Sequence, residues 1–390
     1  MEGTTRRTPA SRDFGIAEVP GLGVGLLAHL LSATPKSLLT DRAKRGDMNE
    51  QALMQRAVEL SLLGRGLTYP NPIVGAVIVD NSGEILAQGF HQGREHAEVL
   101  ALRELQESGD THQELTLIVT LEPCNHHGKT PPCTEAIMDL GVRSGITRVT
   151  YATADPNPIA EGGAERLRAS GLEVTQFDSP LARFANRDWL TKMRLGRPRI
   201  TWKVATSLDG AIAAQDGTSK WITNEVSRAD VKRERSLSDA IVTGTGTVLA
   251  DDPSMLGDGK NPVRIVMGNR SVPKDKKISS ADAETIVMQS RRSDDLLALV
   301  RERGFNRLFL ECGPTLGSAL FQEGLVDELL IYQAPTIVGS DRRFTTGINL
   351  SSIDQQIRLR SEVVEDLDGD IKRLLFLDNA MNKEFSCSPA

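Results

Sequence analysis

Four residues in the first half of the chain have the types and spacing of a metal-assisted hydrolytic site. His96 and Glu98 stand two positions apart, and Cys124 and Cys133 follow them. One imidazole and two thiolates supply three ligands to a zinc ion, which leaves its fourth tetrahedral position for a water molecule. A nearby carboxylate can accept a proton from that water and deliver one to a leaving group. The pattern therefore predicts a zinc site with His96, Cys124 and Cys133 as ligands and Glu98 as the catalytic acid and base.

This ligand set is typical of zinc deaminases that act on nucleobase rings. The common deaminase pattern has two residues between its cysteines, whereas eight residues, 125 to 132, lie between these two. Two other functions stay open at this point. A structural zinc protein would need a fourth protein ligand. A nucleic-acid-editing deaminase would need a basic surface, and the formal net charge of −6 weighs against one.

Alternating strand and helix patterns on both sides of Gly196 predict an α/β architecture with two domains. The first half should place His96 and Glu98 at the start of a helix and Cys133 at the start of the next, because proline is tolerated there. We expect a polar, partly helical connection between the domains and a small-residue loop from Thr243 to Pro253. The predicted divisions are an extension at 1–47, a zinc deaminase domain at 48–178, a connection at 179–197, a second enzymatic domain at 198–380 and a tail at 381–390.

The composition is that of a globular protein. It has 390 residues, 39% of them hydrophobic, which is ample for two cores. The four cysteines are too few for a disulfide framework, and two of them already have a metal-binding interpretation, so a cytoplasmic location is expected. The chain has no apolar run of membrane-spanning length. We therefore expect neither a membrane nor a nucleic acid among its partners.

Residues 1–47 are expected to be a disordered extension or an over-long translated start. Arg6 and Arg7 precede an apolar stretch at 21–31, but Glu18 and Pro20 interrupt the pattern of a targeting leader. Deletion of 1–47 should leave the activity intact, because Met48 directly precedes a well-formed helix. Activity assays on the truncated protein test this expectation, and a loss of activity or solubility would contradict it.

The insert between the two cysteines is the most specific motif in the chain. The segment Thr120 to Cys133 reads TLEPCNHHGKTPPC, and it occurs with PNPIVG from Pro70 and DPNP from Asp155. Together these motifs resemble the deaminase domain of the bifunctional riboflavin-biosynthesis deaminase/reductase family, and the likeness runs from about Met48 to beyond Gly339. The resemblance implies a cytidine-deaminase-like three-layer domain at the N-terminal end. It further implies that Asn71, His91 and Lys129 bind the substrate. Because the zinc ligand set is already complete, His126 and His127 are interpreted as loop residues or as residues that support the ligands.

The second half carries glycine-containing turns after several predicted strands, but no Gly-x-Gly-x-x-Gly run that would indicate a Rossmann domain. Taken together, the turns resemble the reductase domain of the same family, whose fold is like that of dihydrofolate reductase. The resemblance implies catalysis by Lys203 and substrate binding by Ser219, Arg235 and Glu311. The implied NADPH-binding residues are Ala205, Trp221, Thr247, Asp251, Gly313, Pro314, Thr315, Leu316, Gly317, Ser318 and Ala319. Trp202 is interpreted as an ordinary core residue.

The implied function is a pair of reactions that need Zn²⁺ and NADPH. The first is hydrolytic deamination of 2,5-diamino-6-(5-phosphoribosylamino)pyrimidin-4(3H)-one, and the second reduces the ribosyl group to give 5-amino-6-(5-phosphoribitylamino)uracil. The expected partner is this small pyrimidine ribosyl phosphate, and the enzyme is expected to be a homo-oligomer. A deaminase with a vestigial reductase domain is the alternative, because the loop after Asp252, Lys260 within it, and Ala211 depart from the family pattern.

Overall fold

The computed structural model describes residues 49–109, 112–128 and 130–385. The predictions for residues 1–47, for Lys129 and for 386–390 lie outside the described residues. Within the described part of the chain, no helix has both the length and the apolar composition needed to cross a membrane.

The first half is one five-stranded sheet with helices against it. Its elements are α1 (Glu50–Leu62), β1 (Gly75–Val79), β2 (Ile85–Phe90), α2 (Ala97–Ser108), β3 (Leu115–Leu121), α3 (Cys133–Ala136), β4 (Ile146–Thr153), α4 (Gly163–Ala169) and β5 (Glu173–Gln176). Helix α3 continues as a π-helical turn, Ile137–Gly141. The strand order is β2-β1-β3-β4-β5. Strand β1 is antiparallel to both neighbours, whereas β3, β4 and β5 are parallel.

The connection between the halves is almost entirely helical. It forms α5 (Pro180–Ala185) and α6 (Arg187–Leu195), with the Ser179 hydroxyl accepting a hydrogen bond from the backbone N–H of Ala182. The polar composition suggested only partial helix. The segment is helical over nearly its whole length because Phe184 and Leu190 are buried and give it an apolar face that packs into the core.

The second half is built on an eight-stranded sheet. Its elements are β6 (Arg199–Thr206), α7 (Glu225–Ser236), β7 (Ala240–Gly244), α8 (Thr245–Asp251), β8 (Val263–Met267), β9 (Thr285–Met288), α9 (Ser293–Glu302), β10 (Arg307–Leu310), α10 (Pro314–Gln322), β11 (Glu328–Gln333), β12 (Leu359–Leu367), β13 (Asp370–Leu377) and α11 (Ala380–Phe385). The strand order is β12-β13-β11-β6-β10-β7-β8-β9. All strands from β11 to β9 in this order are parallel, and β13 and β12 add an antiparallel edge.

Three parts of the second half differ from the sequence prediction. The expected loop from Thr243 is the end of β7 followed by helix α8, because Gly244 alone makes the turn and the small residues after it continue as helix. The hairpin of β12 and β13 was not predicted, since charged residues at its buried positions, Glu362, Asp370 and Lys372, interrupt the alternating pattern. The predicted tail at 381–390 begins inside α11, and Asn382 and Phe385 are buried rather than free.

A buried ionic cluster joins the connection to the second sheet. The carboxylate of Glu328 on β11 accepts hydrogen bonds from Arg187 of α6 at 3.2 Å and from Arg199 of β6 at 2.9 Å. Burial alone would raise the pKa of Glu328, but the two guanidinium groups lower it well below its usual range. Because the carboxylate therefore stays charged, removal of either arginine would leave a buried charge poorly compensated.

Candidate active sites

The three predicted zinc ligands meet where three separate elements end. His96 is the residue before α2, Cys133 is the first residue of α3, and Cys124 lies in the turn after β3. The Nδ1 atom of His96 lies 3.0 Å from the Sγ atom of Cys133 and 3.5 Å from that of Cys124. In the part of the chain that the structure describes, these three are the residues grouped closely enough to hold a metal ion, with all ligand atoms within 4.8 Å of one another.

The charge on the two thiols favours a dication between them. The hydrogen bond from Cys133 lowers the pKa of Cys124 to about 4, although burial opposes this shift. The same contact, together with burial, raises the pKa of Cys133 well above its usual range. The protein groups alone thus stabilise one thiolate, and a bound zinc ion would stabilise the second. One ring nitrogen and two sulfurs are a donor set that fits zinc with one position left open.

Glu98 lies within the same pocket and is almost fully buried. It is the second residue of α2 and its side chain is only 3% exposed. Burial raises its pKa, Cys124 adds to the rise, and His96 opposes it. A buried carboxyl with a raised pKa holds a proton more readily than an exposed glutamate does. This property suits a group that must accept a proton and then return it.

Buried backbone contacts hold the turn that carries Cys124. The carboxylate of Glu122 accepts hydrogen bonds from the N–H groups of Asp155, at 3.1 Å, and Ala164, at 2.9 Å. Gly163 is required beside this turn, because a Cβ atom on it would lie 1.8 Å from the carbonyl oxygen of Pro123. Glu122 was not predicted as a site residue, although the sequence placed it two positions before a ligand.

Of the predicted deaminase substrate residues, His91 lies beside a zinc ligand, whereas Asn71 lines a separate cavity that none of His96, Cys124 and Cys133 lines. The ring of His91 is buried and stands edge-on to His96, with 5.2 Å between the ring centroids. Its Nδ1 atom contacts the carbonyl oxygen of Glu95 at 2.8 Å, and its buried Nε2 atom has no hydrogen-bond partner. Asn71 lies in the loop between α1 and β1, and it lines a cavity of about 50 Å³ at the junction of the two halves.

The two loop histidines are not among the grouped ligand atoms. The Nε2 atom of His127 lies 3.2 Å from the carboxylate of Glu135, and the His127 side chain is largely exposed. His126 is half-buried, and its Nδ1 atom is buried without a hydrogen-bond partner. The cysteine insert is anchored instead through Asn125, whose side-chain oxygen accepts hydrogen bonds from Thr134 and Arg166.

The second half brings Lys203, Arg235 and Glu311 together. The guanidinium of Arg235 on α7 donates to both carboxylate oxygens of Glu311, at 2.6 and 3.0 Å. The Nζ atom of Lys203 lies 3.7 Å from the same carboxylate. The sheet explains this meeting, because Leu310 of β10 is aligned with Trp202 of β6 in a parallel pair, so that the next residues stand side by side. The structure therefore brings these three residues together in one cluster.

The three groups affect one another's pKa values. Burial lowers the pKa of Lys203 and the neighbouring Arg235 adds to this, whereas Glu311 opposes it. Burial would raise the pKa of Glu311, but Arg235 and Lys203 lower it overall. The carboxylate consequently remains ionised, and it holds a lysine that gives up its proton more easily than an exposed lysine does.

Three turns lie side by side at the carboxyl ends of parallel strands. Gly244 ends β7, Gly268 follows β8 and Gly313 precedes α10. The N–H of Gly313 donates to the hydroxyl of Thr247 at 3.2 Å, which joins two of these turns. A helix N-terminus of this kind can bind phosphate, because its first N–H groups have no partner within the helix. The arrangement fits the phosphate groups of a dinucleotide.

Arg270 is a residue of this edge that the sequence alone did not single out. It is exposed, and its guanidinium stands so close to Gly246 that a Cβ atom there would lie 2.9 Å from Nη2. An arginine beside a phosphate-binding site can donate to two phosphate oxygens at once. Its position could have identified it, because it lies three residues past the end of β8 at the same sheet edge.

The predicted substrate residue Ser219 and the remaining predicted cofactor residues occupy several parts of this region. Ser219 lies 3.5 Å from the carboxylate of Asp251. Trp221 is 69% exposed, and the guanidinium of Arg228 stacks over its ring at 4.7 Å. Ala205 is on the same face of β6 as Lys203, and both are partly exposed. Pro314 begins α10, and Thr315, Leu316, Gly317, Ser318 and Ala319 follow within it.

Two positions that depart from the family pattern have defined contacts. Ala211 is fully buried and forms a β-bridge with Arg343, whose guanidinium donates to the carbonyl oxygen of Asp209. Lys260 donates to the carbonyl oxygen of Gly66 in the first half at 2.7 Å. A cation from another segment thus lies beside Ala211, whereas Lys260 contributes to the junction of the two halves.

Gly317 lets α10 approach the core closely, and its replacement is expected to weaken NADPH binding. A Cβ atom there would lie 2.1 Å from the ring of Trp202, which is 1% exposed and cannot move away. Gly317→Ala should therefore displace α10, raise the Kd for NADPH, and lower the free energy of unfolding by about 1–3 kcal/mol. Fluorescence titration with NADPH and urea denaturation measure the two effects. The control is Gly141→Ala, whose Cβ atom would be 3.4 Å from its nearest neighbour. Equal NADPH affinity in both variants would contradict this prediction.

Comparison with known families agrees with both halves. The family described as the cytidine and deoxycytidylate deaminase zinc-binding region matches residues 47–153. The RibD C-terminal domain family matches residues 198–372. The predicted fold class, a cytidine-deaminase-like domain followed by a dihydrofolate-reductase-like domain, is confirmed. The requirement for zinc and NADPH is confirmed with it.

Whole-chain relatives extend the similarity beyond the separate domains. The riboflavin biosynthesis protein RibD of Mycobacterium tuberculosis H37Rv is 41% identical over 329 residues, covering 82% of this chain and 94% of the relative. The RibD of Escherichia coli K12 is 38% identical over 339 residues, covering 76% and 90%.

Two solved structures are similar over nearly their whole length. Acinetobacter baumannii RibD is 36% identical with a TM-score of 0.74, covering 84% of this chain and 98% of that one. The diaminohydroxyphosphoribosylaminopyrimidine deaminase/5-amino-6-(5-phosphoribosylamino)uracil reductase of Thermotoga maritima is 33% identical with a TM-score of 0.75, covering 83% and 97%. With a zinc-ligand cluster in one half, a reductase domain in the other and these relatives along most of its length, the chain belongs to the RibD family of riboflavin biosynthesis proteins.

Proposed function

We propose that this chain catalyses two successive steps of riboflavin biosynthesis, with the residues of each step assigned below. The enzyme is a bifunctional pyrimidine deaminase and NADPH-dependent reductase that acts on a phosphoribosyl pyrimidine. The observation that carries the assignment is the cluster of His96, Cys124 and Cys133 beside the buried Glu98. The alternative of a vestigial reductase is disfavoured, because Lys203, Arg235 and Glu311 still form one cluster.

The first step hydrolyses the amino group of the diaminopyrimidine. His96, Cys124 and Cys133 would hold a zinc ion, which supplies a Lewis acid that makes water nucleophilic at neutral pH. Glu98 accepts a proton from the attacking water and delivers one to the departing amine. Burial of Glu98 keeps this proton away from bulk solvent and raises its affinity for the carboxyl group.

Two residues orient the pyrimidine in this proposal. His91 stands beside His96 with a buried ring nitrogen that lacks a partner, so it has a hydrogen-bonding position to offer a ligand. Asn71 supplies an amide that can both donate to and accept from a pyrimidine ring. Lys129 remains a proposed contact for the substrate phosphate.

The second step reduces the ribosyl group, and NADPH supplies the hydride. The turn at Gly313, fixed by Thr247, and the first residues of α10 would bind the cofactor phosphates. Ser219, Trp221, Asp251 and Ala205 complete the proposed cofactor and substrate surface. Arg235 and Glu311 hold the substrate side, and Lys203 donates the proton that the sugar oxygen needs when the hydride arrives.

The organisation of the molecule completes the proposal. We assign the deaminase to 48–178, the connection to 179–197 and the reductase to 198–380. A cytoplasmic location suits Cys124 and Cys133, because thiol ligands persist in a reducing compartment. A homo-oligomer is also proposed, since Ile337 and Ile353 are each 78% exposed. Analytical ultracentrifugation tests the last point.

Product analysis with and without NADPH tests both steps. Incubation of the diaminopyrimidine ribosyl phosphate with the enzyme alone should release ammonia and form the ribosyl uracil product. Addition of NADPH should convert that product to the ribityl form with consumption of one NADPH per molecule. Release of ammonia without any reduction would favour the vestigial-reductase alternative, and no ammonia at all would refute the deaminase assignment.

A further inference from the structure

The loop between α1 and β1 links the zinc pocket to the second half of the enzyme. At its end the carbonyl oxygen of Val74 accepts a hydrogen bond from the N–H of His91 at 2.9 Å. The ring of His91 stands 5.2 Å from that of the ligand His96. The loop that carries Asn71 is therefore tied on one side to the wall of the deaminase pocket.

On its other side, the loop is held by the connection. The side chain of Asn186, at the junction of α5 and α6, accepts from the N–H of Ile73 at 3.0 Å and donates to the carbonyl oxygen of the same residue at 2.7 Å. Asn186 is only 3% exposed. Two hydrogen bonds to one residue fix both the position and the orientation of the backbone at Ile73.

The reductase half supplies a second anchor. The Nδ2 atom of Asn306, directly before β10, donates to the carbonyl oxygen of Pro70 at 3.2 Å. Its Oδ1 atom accepts from the ammonium of Lys192 at 3.0 Å, which fixes the direction in which the amide points. The backbone N–H of Asn306 donates to the carboxylate of Asp239 at 2.7 Å. Asn306 is thus held in place before it reaches the loop.

An aromatic contact lies beside this anchor. The ring of Tyr69 lies 5.8 Å from that of Phe305, and its hydroxyl donates to the carbonyl oxygen of Arg303. Inside the loop, the N–H of Asn71 donates to the carbonyl oxygen of Thr68 at 2.8 Å. The backbone groups on either side of Asn71 are consequently bonded to residues of the connection and of the reductase half.

We propose that Asn186 and Asn306 are positioning residues of the deaminase, through which the connection and the reductase half hold the substrate-binding loop at 69–74 in place. The inference rests on the proposed function, in which Asn71 contacts the pyrimidine. Neither residue touches the reacting atoms. Each restricts the backbone on one side of Asn71, so the amide meets the substrate already oriented and less of the binding free energy is lost in ordering it. The reductase half thereby contributes to the affinity of the deaminase for its substrate.

The decisive variant is Asn306→Asp in the full-length enzyme. It keeps the oxygen that faces Lys192, but it replaces the donor to Pro70 with a second oxygen that repels the carbonyl. The KM for deamination should rise about tenfold, the ratio that corresponds to about 1.4 kcal/mol of lost binding free energy. The kcat for deamination should change by less than about threefold, because Glu98 and the zinc ligands are untouched. Asn186→Asp, which loses the donor to Ile73, should show the same pattern.

Asn382→Asp is the matched control. Asn382 is 1% exposed, its Oδ1 atom accepts from Arg199 at 3.0 Å, and its Nδ2 atom donates to the carbonyl oxygen of Asp327 at 2.9 Å. It therefore has the same chemistry as Asn306, but all its bonds stay within the C-terminal half. The control should leave the deaminase KM within about twofold of the original value.

Reductase kinetics and zinc content of the same samples show that the chain is folded. Asn306→Asp with an unchanged reductase kcat/KM, one zinc per chain and a raised deaminase KM would support the inference. An unchanged deaminase KM in both Asn306→Asp and Asn186→Asp would overturn it, as would an equal rise in Asn382→Asp. A fall of kcat without a change of KM would overturn it too. Failure of the unmodified enzyme to release ammonia would instead refute the deaminase assignment itself.

Discussion

Replacement of Glu98 with glutamine is expected to lower the kcat of deamination by about 100- to 10 000-fold, the range in which a positioned acid and base contributes. Glutamine has nearly the same shape, but it cannot accept the proton of the attacking water or return one to the amine. Glu98 is 3% exposed, so solvent has little access to replace it. Ammonia release measured under saturating substrate reports the effect.

Three measurements separate a chemical role of Glu98 from a structural one. Zinc content should stay at one ion per chain, because His96, Cys124 and Cys133 remain. NADPH-dependent reduction of the deaminated intermediate should continue at its original rate. The control is Glu135→Gln, a nearby carboxylate whose partners are His127 and Arg166, and its kcat should change by only a few-fold. Substantial deamination by Glu98→Gln with bound zinc would show that another group moves the proton.

The zinc site could be predicted from the sequence because its chemistry depends on residue types that stand out. An imidazole, two thiols and a carboxylate at this spacing are difficult to explain as residues with a purely structural role. The supporting residues have no such signature. Glu122 binds two backbone N–H groups, and Asn306 binds one backbone carbonyl oxygen, and each contact joins segments far apart in the chain. Only the fold shows which distant backbone group a buried polar side chain meets.

The fold itself was predictable where the hydrophobic periodicity was clear. The apolar runs of the sequence predict strands at Leu115–Leu121, Val263–Met267 and Thr285–Met288, and β3, β8 and β9 begin and end at these residues. The hairpin of β12 and β13 was missed because charged residues occur at buried as well as exposed positions, Glu362, Asp370 and Lys372 among the buried ones. Asp368 and Gly369 nevertheless both have positive φ angles and form a two-residue turn typical of hairpins. An Asp-Gly pair therefore indicates a hairpin turn even where the flanking residues do not alternate clearly between apolar and polar. Helix α8 was not predicted because its glycine and threonine residues are typical of a loop.

Removal of the Lys203 side chain should suppress the second reaction to a similar extent. Lys203→Ala is expected to lower the kcat of reduction by about 100- to 10 000-fold, because the sugar oxygen then lacks its proton donor when hydride arrives. NADPH binding and deamination should both persist. The control is Lys232→Ala, an exposed lysine on the helix that carries Arg235. Stopped-flow oxidation of NADPH with the deaminated intermediate measures the chemical step. An undiminished rate in Lys203→Ala would refute the proposed role.

The pH dependence of reduction distinguishes a proton donor from a residue that merely packs. The ammonium form of Lys203 is the active form in this proposal, so the rate should fall as pH rises through its pKa. Burial lowers that pKa, and the charge of Glu311 opposes the shift. Glu311→Gln removes the opposing charge, so Lys203 should lose its proton at a lower pH, and the alkaline limb of the kcat profile should move to lower pH. If Lys203 were only structural, Glu311→Gln would reduce the rate without moving this limb, because no proton on Lys203 would enter the reaction.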